Sequence, residues 1–229
     1  MKILCVSDTT DPLVYSGAIK EHFADIDCVL SAGDLPLDYL EFIVSSLNKP
    51  LLFVFGNHNL GDFDYYDKKS RDPLELNLTS YFIPGAGASH IGGKVVKEST
   101  LLFAGLGGSM RYNDGKNQFS NFDMKLEILK LLPKLLFNKL RHGRFLDLLL
   151  THAPPEGIHD QNDLCHQGFK PFLWFMRVFK PKYLVHGHIH LYNISEKRNT
   201  VYYATTIVNA YSHTVIEINE DKAKKDRKK

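Results

Sequence analysis

Seven polar side chains of the kinds that hold metal ions recur at the ends of short apolar runs: Asp8, Asp34, Asn57, His58, His152, His188 and His190. Asp8 comes just after the run at residues 3–6, Gly33-Asp34 after 28–32, and Gly56-Asn57-His58-Asn59 after 51–55. Thr151-His152 follows residues 145–150, and Gly187-His188-Ile189-His190 follows 183–186. Asp, Asn and His bring oxygen and nitrogen donors without a thiolate. That set suits Mn, Fe, Co, Zn or Ni and disfavours a thiolate-type structural zinc. Two such ions about 3.5–4 Å apart can share one carboxylate, activate a water between them and clamp a phosphoryl oxygen during in-line attack. A lone His beside a strand is more often a surface or capping residue, so the inference rests on the ordered set.

The apolar runs are short, β-rich and continuous, as expected of strands buried on both faces. Between the first three, residues 17–23 and 37–47 carry apolar side chains at helical spacing. Such a β-α-β-α-β series normally builds a parallel sheet, and loops at the carboxyl ends of parallel strands converge on one crevice. Further strands are expected at 81–83, 94–98 and 101–105, then a polar loop opened by Gly107-Gly108-Ser109 and running through Ser120. Residues 121–140 read as a Leu- and Lys-rich helix that Pro133 kinks or splits, its Leu stripe packed into the core and not offered to a partner. A strand at 145–150, a helix near 169–179 and strands at 183–186, 191–195, 201–203, 206–209 and 214–218 complete the pattern. So many strands need two sheets, giving one domain, residues 1–220, of two stacked sheets flanked by helices.

The motifs in this order resemble those of the calcineurin-like metallophosphoesterases: D-x-H, G-D, G-N-H-D/E, H and G-H-x-H. The resemblance runs from residue 3 to about 218 and implies an α/β four-layer α/β/β/α sandwich of two mixed sheets. It also implies that Asp34 bridges two divalent ions, with Asp8 and His190 completing the first site and Asn57, His152 and His188 the second. His58 would face the substrate phosphate and assist the leaving group. The implied reaction is hydrolysis of a phosphomonoester or phosphodiester by attack of a metal-activated water. Two departures bear on it. Thr10 stands where the first motif has His, which weakens the first metal site unless water or Asp11 fills the gap. Asn59 replaces the acid that follows His58. Both would suit a rival reading, a metal-binding scaffold of the same fold with weak or no hydrolase activity.

Other polar residues invite weaker readings. Arg111, in a loop with Tyr112, Asn113, Lys116 and Asn117, is a candidate substrate-phosphate ligand. His166, in the stretch after Ala153-Pro154-Pro155 that also holds His159 and Asp160, is a candidate for supporting a ligand or touching substrate. Residues 60–73, with Asp62, Tyr65, Tyr66, Lys68 and Lys69, either cover the crevice or connect elements. His22, His90, His142 and His213 read as structural, and His186, before Gly187 at a strand end, reads as core in preference to support for a ligand.

Composition narrows the partners. The formal charge of +2 comes from residues 221–229, which hold six Lys or Arg against two Asp. Without them 22 basic residues face 24 acidic ones, so the body does not suit a nucleic-acid binder, nuclease included, and the tail is expected to be disordered. Cys5, Cys28 and Cys165 form no CxxC pair, which fits reduced thiols and a cytoplasmic setting. No apolar run approaches the roughly 20 residues that span a bilayer, and no signal peptide precedes the first strand. The expected partner is a small phosphorylated substrate, not a membrane.

Overall fold

Ile3 and Cys5 point into one apolar cluster while Leu4 and Val6 point into another, and all four are fully buried. The run they form, β1 (Lys2–Ser7), therefore has packing on both faces. The computed structural model describes residues 1–61, 63–66, 85, 87–193 and 196–218. After β1 come α1 (Ile19–Phe23), β2 (Cys28–Ser31), α2 (Leu37–Leu47), β3 (Leu51–Phe53) and a short α3 (Phe63–Tyr66). The middle holds β4 (Ala88–His90), β5 (Lys94–Glu98), β6 (Leu101–Leu106), β7 (Ser109–Met110) and β8 (Gln118–Phe119). Then follow α4 (Asn121–His142), β9 (Leu148–Thr151), α5 (Lys170–Phe179) and β10 (Tyr183–His186). β11 (Asn199–Tyr202), β12 (Thr205–Asn209) and β13 (Ser212–Glu217) close the described chain.

Two large mixed sheets result. The first has the order β13-β1-β2-β3-β4, parallel except for β13. The second has the order β11-β12-β10-β9-β6-β5, with β11 and β5 antiparallel at its edges. Alternation sorts the side chains into three cores. Cys5, Leu30, Leu52, Phe103, Leu150 and Val185 meet between the sheets. Leu4, Val29 and Phe53 pack under α1 and α2, while Leu102, Leu149 and Leu184 pack under α4 and α5. The layers are thus helix, sheet, sheet, helix. Each large side chain so buried contributes roughly 1.5–3 kcal/mol, and α5 alone supplies Phe172, Phe175, Met176 and Phe179.

Local signals set the helix ends. Ser120 accepts the Asp123 amide while the Asp123 carboxylate accepts the Ser120 amide, a reciprocal cap at the start of α4. Gly143, at φ 75°, ends that helix by donating to the Lys139 carbonyl. α4 runs unbroken through Pro133, contrary to the split expected from sequence. Pro133 faces solvent, so the carbonyl left without a helical donor is open to water. The Leu stripe expected to be core is only half so: Met124, Ile128, Leu131 and Leu135 are buried, but Leu126, Leu129, Leu136 and Leu140 are exposed.

Other expectations also change. The loop at 107–120 contains the β7–β8 ribbon, and β4 extends the first sheet although nothing in its pattern marked it. No strand forms at Leu191–Asn193, which lead away from the Gly187-His188-Ile189-His190 turn without regular structure. The strand expected at 81–83, most of the 60–73 loop, residues 194–195 and the tail lie outside the described residues. Among the described residues no helix is long and apolar enough to cross a membrane.

Asp147 ties the second sheet together just before β9. Its buried carboxylate accepts from the Leu102 amide at 2.9 Å and from Arg144 Nε at 2.8 and 2.9 Å, and Arg144 also caps the Thr100 carbonyl at 2.8 Å. Replacing Asp147 with Ala strands these donors. We expect a loss of about 3 kcal/mol in denaturant unfolding; a change under about 0.5 kcal/mol, the level of an ordinary surface substitution, would show that the carboxylate is dispensable.

Candidate metal centre

Three of the strands that end at the crevice hand over their polar residue in a left-handed turn. Asp8, Asp34 and His188 sit at φ of 67°, 58° and 68°, the left-handed region that non-glycine residues normally avoid. Strained residues of this kind cluster at functional sites and cost of order 1–3 kcal/mol each. Tight packing around Gly56 and Gly187 holds two of these turns. A Cβ on Gly56 would lie 2.0 Å from Asp34 Oδ1, and one on Gly187 would lie 1.8 Å from Ser7 Oγ.

The site spans the seam between the sheets. Asp34, from the first sheet, faces His152 of the second, with Oδ2 3.3 Å from Nε2. Asn57 Oδ1 lies 3.1 Å from the same nitrogen. His152 Nδ1 donates to the Ala32 carbonyl at 2.8 Å, which fixes the proton there and turns Nε2 toward Asp34 and Asn57. The rings of His152 and His188 are 4.8 Å apart. His188 Nε2 donates to the Cys165 carbonyl at 2.6 Å, leaving Nδ1 with its lone pair. Asp34, His152 and His188 offer ligand atoms within 4.8 Å of one another, and all three are buried. Three convergent oxygen and nitrogen donors, with Asn57 as a fourth, fit a divalent cation.

Asp8 and His190 stand outside that group. Both Asp8 oxygens accept the His188 amide, at 2.9 and 3.0 Å. His190 is half-buried, bonded through Nδ1 to the Tyr192 hydroxyl at 2.8 Å and stacked on Tyr211 at 4.9 Å. Thr10 is exposed. Asp11 is buried and held by the Ser212 hydroxyl, by His213 Nδ1 at 2.6 Å and by the Leu13 amide at 2.8 Å.

Beside the centre, the His58 amide donates to Asp34 Oδ1 at 2.8 Å, and its ring pairs with no described carboxylate. Asn59 donates to the Asp34 carbonyl at 2.8 Å. Arg111 is exposed and bridges to Asp123 at 3.2 Å. Its neighbour Tyr112 reaches in instead, the hydroxyl 3.1 Å from Asn57 Nδ2. Asn117 caps the Phe55 and Gly56 carbonyls at 3.1 and 2.7 Å. His166 lies 5.3 Å ring to ring from His188, its Nδ1 held by Asp163 at 2.9 Å. Behind the Gly187 turn, His186 Nδ1 donates to the Gly187 carbonyl, His159 Nδ1 to His186 Nε2, and the Thr200 hydroxyl to His159 Nε2, each at 2.9 Å. Burial pushes His186 down to about 3 and His159 to about 4, so both are neutral. The sequence places Tyr112, Asn117 and His159 in the loops of Arg111 and His166 but gives them no role, because those loops carry no strand-end signature.

Electrostatics makes Asp34 and His152 a pair. Burial opposes ionisation of both, but their mutual charge and hydrogen bond prevail. Asp34 is held down to about 2 and His152 is raised to about 9. Burial and the charge of His152 hold His188 neutral, at about 3. Burial raises Asp8 above the usual carboxylate range.

A sequence model described as calcineurin-like phosphoesterase matches residues 1–192. The sequence matches no curated protein at a significant level. One solved structure, 11% identical, aligns over 94% of this chain and 94% of its own at a TM-score of 0.59. The protein TT1561 of Thermus thermophilus, 13% identical, aligns over 92% of this chain and 88% of its own at a TM-score of 0.55. At these identities the likeness is one of fold.

The ion pair should be visible in the metal-free protein. His152 has an ordinary value of 6.5 and is raised to about 9 in the fold, so its contribution is fully present below pH 6.5 and is lost as pH rises through 9. Denaturant unfolding of the metal-free protein should therefore show stability falling by the order of 3 kcal/mol across that window. Constant stability there would mean that His152 carries no such proton.

Proposed function

The chain belongs to the calcineurin-like phosphoesterase family, and from that premise we propose that it is a metal-dependent hydrolase of a phosphomonoester or phosphodiester. The observation that carries this reading is the convergence of Asp34, Asn57, His152 and His188 across the seam of the two sheets. In the proposed site these four hold one divalent cation, Mn, Fe, Co, Zn or Ni, and Asp8 and His190 join Asp34 around a second. When bound, such ions supply positive charge that acidifies a water and offsets charge growing on the phosphoryl oxygens.

The protein's own groups do the rest. The Ala32 carbonyl keeps His152 in the ligating tautomer, and Tyr112 and Asn117 hold the Gly56-Asn57-His58 turn in place. His58, exposed but anchored through its amide to Asp34, presents its ring to the phosphate and protonates the leaving oxygen. His166, beside His188, and Arg111 at the rim are the candidate substrate contacts. The alternative, a metal-binding scaffold with weak or no activity, draws on Thr10 facing solvent and His190 engaged with Tyr192 and Tyr211.

Activity on a generic phosphodiester and a phosphomonoester, with metal content measured in parallel, tests the reading. Asp34→Asn should abolish turnover and lower total metal, whereas His58→Ala should keep its metal and lose roughly 10²–10⁴-fold in rate. Near wild-type turnover by folded Asp34→Asn protein would sink the proposal, and loss of metal from His58→Ala would make His58 a ligand.

A second expectation concerns Thr10. Wild-type protein should bind one ion tightly and need excess Mn²⁺ for full rate, and Thr10→His should reduce that need. Two equally tight ions in the unaltered protein would show that Thr10 is no defect.

A further inference from the structure

Helix α4 carries a second apolar row on its outer side. Phe122, Leu126, Leu129, Leu136 and Leu140 face solvent, with Phe122 69% and Leu140 88% exposed. With Pro133 filling the gap between Leu129 and Leu136, successive steps along the row are four, three, four, three and four residues. That alternation is the one by which two helices interlock side chains, and 18 residues of helix make it about 27 Å long. The row opens at its amino end into a groove of about 470 Å³, where Phe122 and Lys125 meet Lys170, Pro171 and Trp174 at the start of α5.

The flanks of the row are basic. Lys125, Lys130, Lys134, Lys139 and Arg141 line it, while the two acids on the helix are already engaged, Glu127 by Lys130 and Asp123 by Ser120 and Arg111. A contiguous exposed apolar patch marks an interaction site, and here five bases against two acids make its rim net positive.

We propose that the outer face of α4 docks an amphipathic helix of another protein, apolar at four-three spacing and flanked by Glu and Asp. A second copy of this chain would set lysines against lysines. The chain's own residues 221–229, with six Lys or Arg, carry the same sign. A membrane surface would accept the Lys and Leu face at the same spacing, but a flat interface would leave the groove beside Trp174 unfilled.

The chain's one tryptophan, Trp174, reports directly on the groove. The probe is a synthetic three-heptad helical peptide with Leu at the seam positions and Glu at the flanks, titrated into the full chain. The expected result is saturable binding with a blue shift of Trp174 emission. Leu136→Glu with Leu140→Glu should weaken it at least about tenfold, because each buries a charge in the seam. Both positions are exposed, so circular dichroism and melting should be unchanged. Lys125→Glu with Lys130→Glu should weaken the Glu-flanked peptide and favour a Lys-flanked one. No binding, or equal binding of both peptides to the unaltered chain, would overturn the proposal. So would a homodimer in sedimentation that Leu136→Glu with Leu140→Glu dissolves. Co-sedimentation with phosphatidylserine vesicles that the same variant abolishes, in the absence of peptide binding, would assign the face to a membrane instead.

Discussion

A carboxylate from one sheet and an imidazole from the other face each other where the two sheets meet, and neither has much water to fall back on. Burying Asp34 or His152 alone would cost several kcal/mol, and their attraction recovers that cost only if the remaining polar atoms are also matched. They are: the His58 amide and the Ala32 carbonyl each take one. Such a pair contributes little net stability, yet it demands close approach, and the demand spreads outward. Gly56 is needed because a side chain there would collide with Asp34 and His152, and Asp34 is held in a left-handed turn so that its oxygens face the seam. The positive charge on His152 thus offsets the negative charge of Asp34 and holds carboxylate and imidazole together across the seam.

The legible parts of the sequence were those where periodicity and position carry the same message. Runs such as Leu148–Thr151 are apolar on nearly every residue because alternate side chains enter different cores, and a helix with a clear apolar face, such as Leu37–Leu47, was readable to its ends. Polar, glycine-bordered turns are common singly; the candidate site residues stood out because metal-ligating types recur in order at the ends of five apolar runs. What escaped was set by contact across the chain. Tyr112 meets Asn57 over 55 residues and His159 meets His186 over 27, and no local pattern announces either. Arg111 looked the stronger candidate than Tyr112 because charge is conspicuous in a sequence, but Asp123 lies within its reach.

Helix α4 shows a different limit. Its two apolar rows, one inward and one outward, are both spaced for helix packing, and composition alone cannot say which of them the fold covers. The sheet beneath can accept only one face of a straight helix, so the rows divide between buried Met124, Ile128, Leu131 and Leu135 and the exposed set. Pro133 belongs on the outer side for the same reason: a missing backbone donor is cheap where water reaches the orphaned carbonyl and expensive where it does not.

The two halves of the site differ in how far their donors are committed elsewhere. On the Asp34 side, His152 and His188 are oriented by bonds to backbone carbonyls made through the nitrogen that a metal does not need. On the Asp8 side, the carboxylate oxygens themselves are the atoms in use, both accepting the His188 amide. Asp11 cannot turn toward the gap left by Thr10 without giving up His213 and Ser212 of β13, the contacts that join the loop after β1 to the edge of its sheet. Burial also works against the ionised form of Asp8, raising its carboxyl above the usual carboxylate range. Asp34 Oδ1 is in use too, by the His58 amide, so what separates the halves is the pair of buried imidazoles that backbone carbonyls keep turned inward on the Asp34 side.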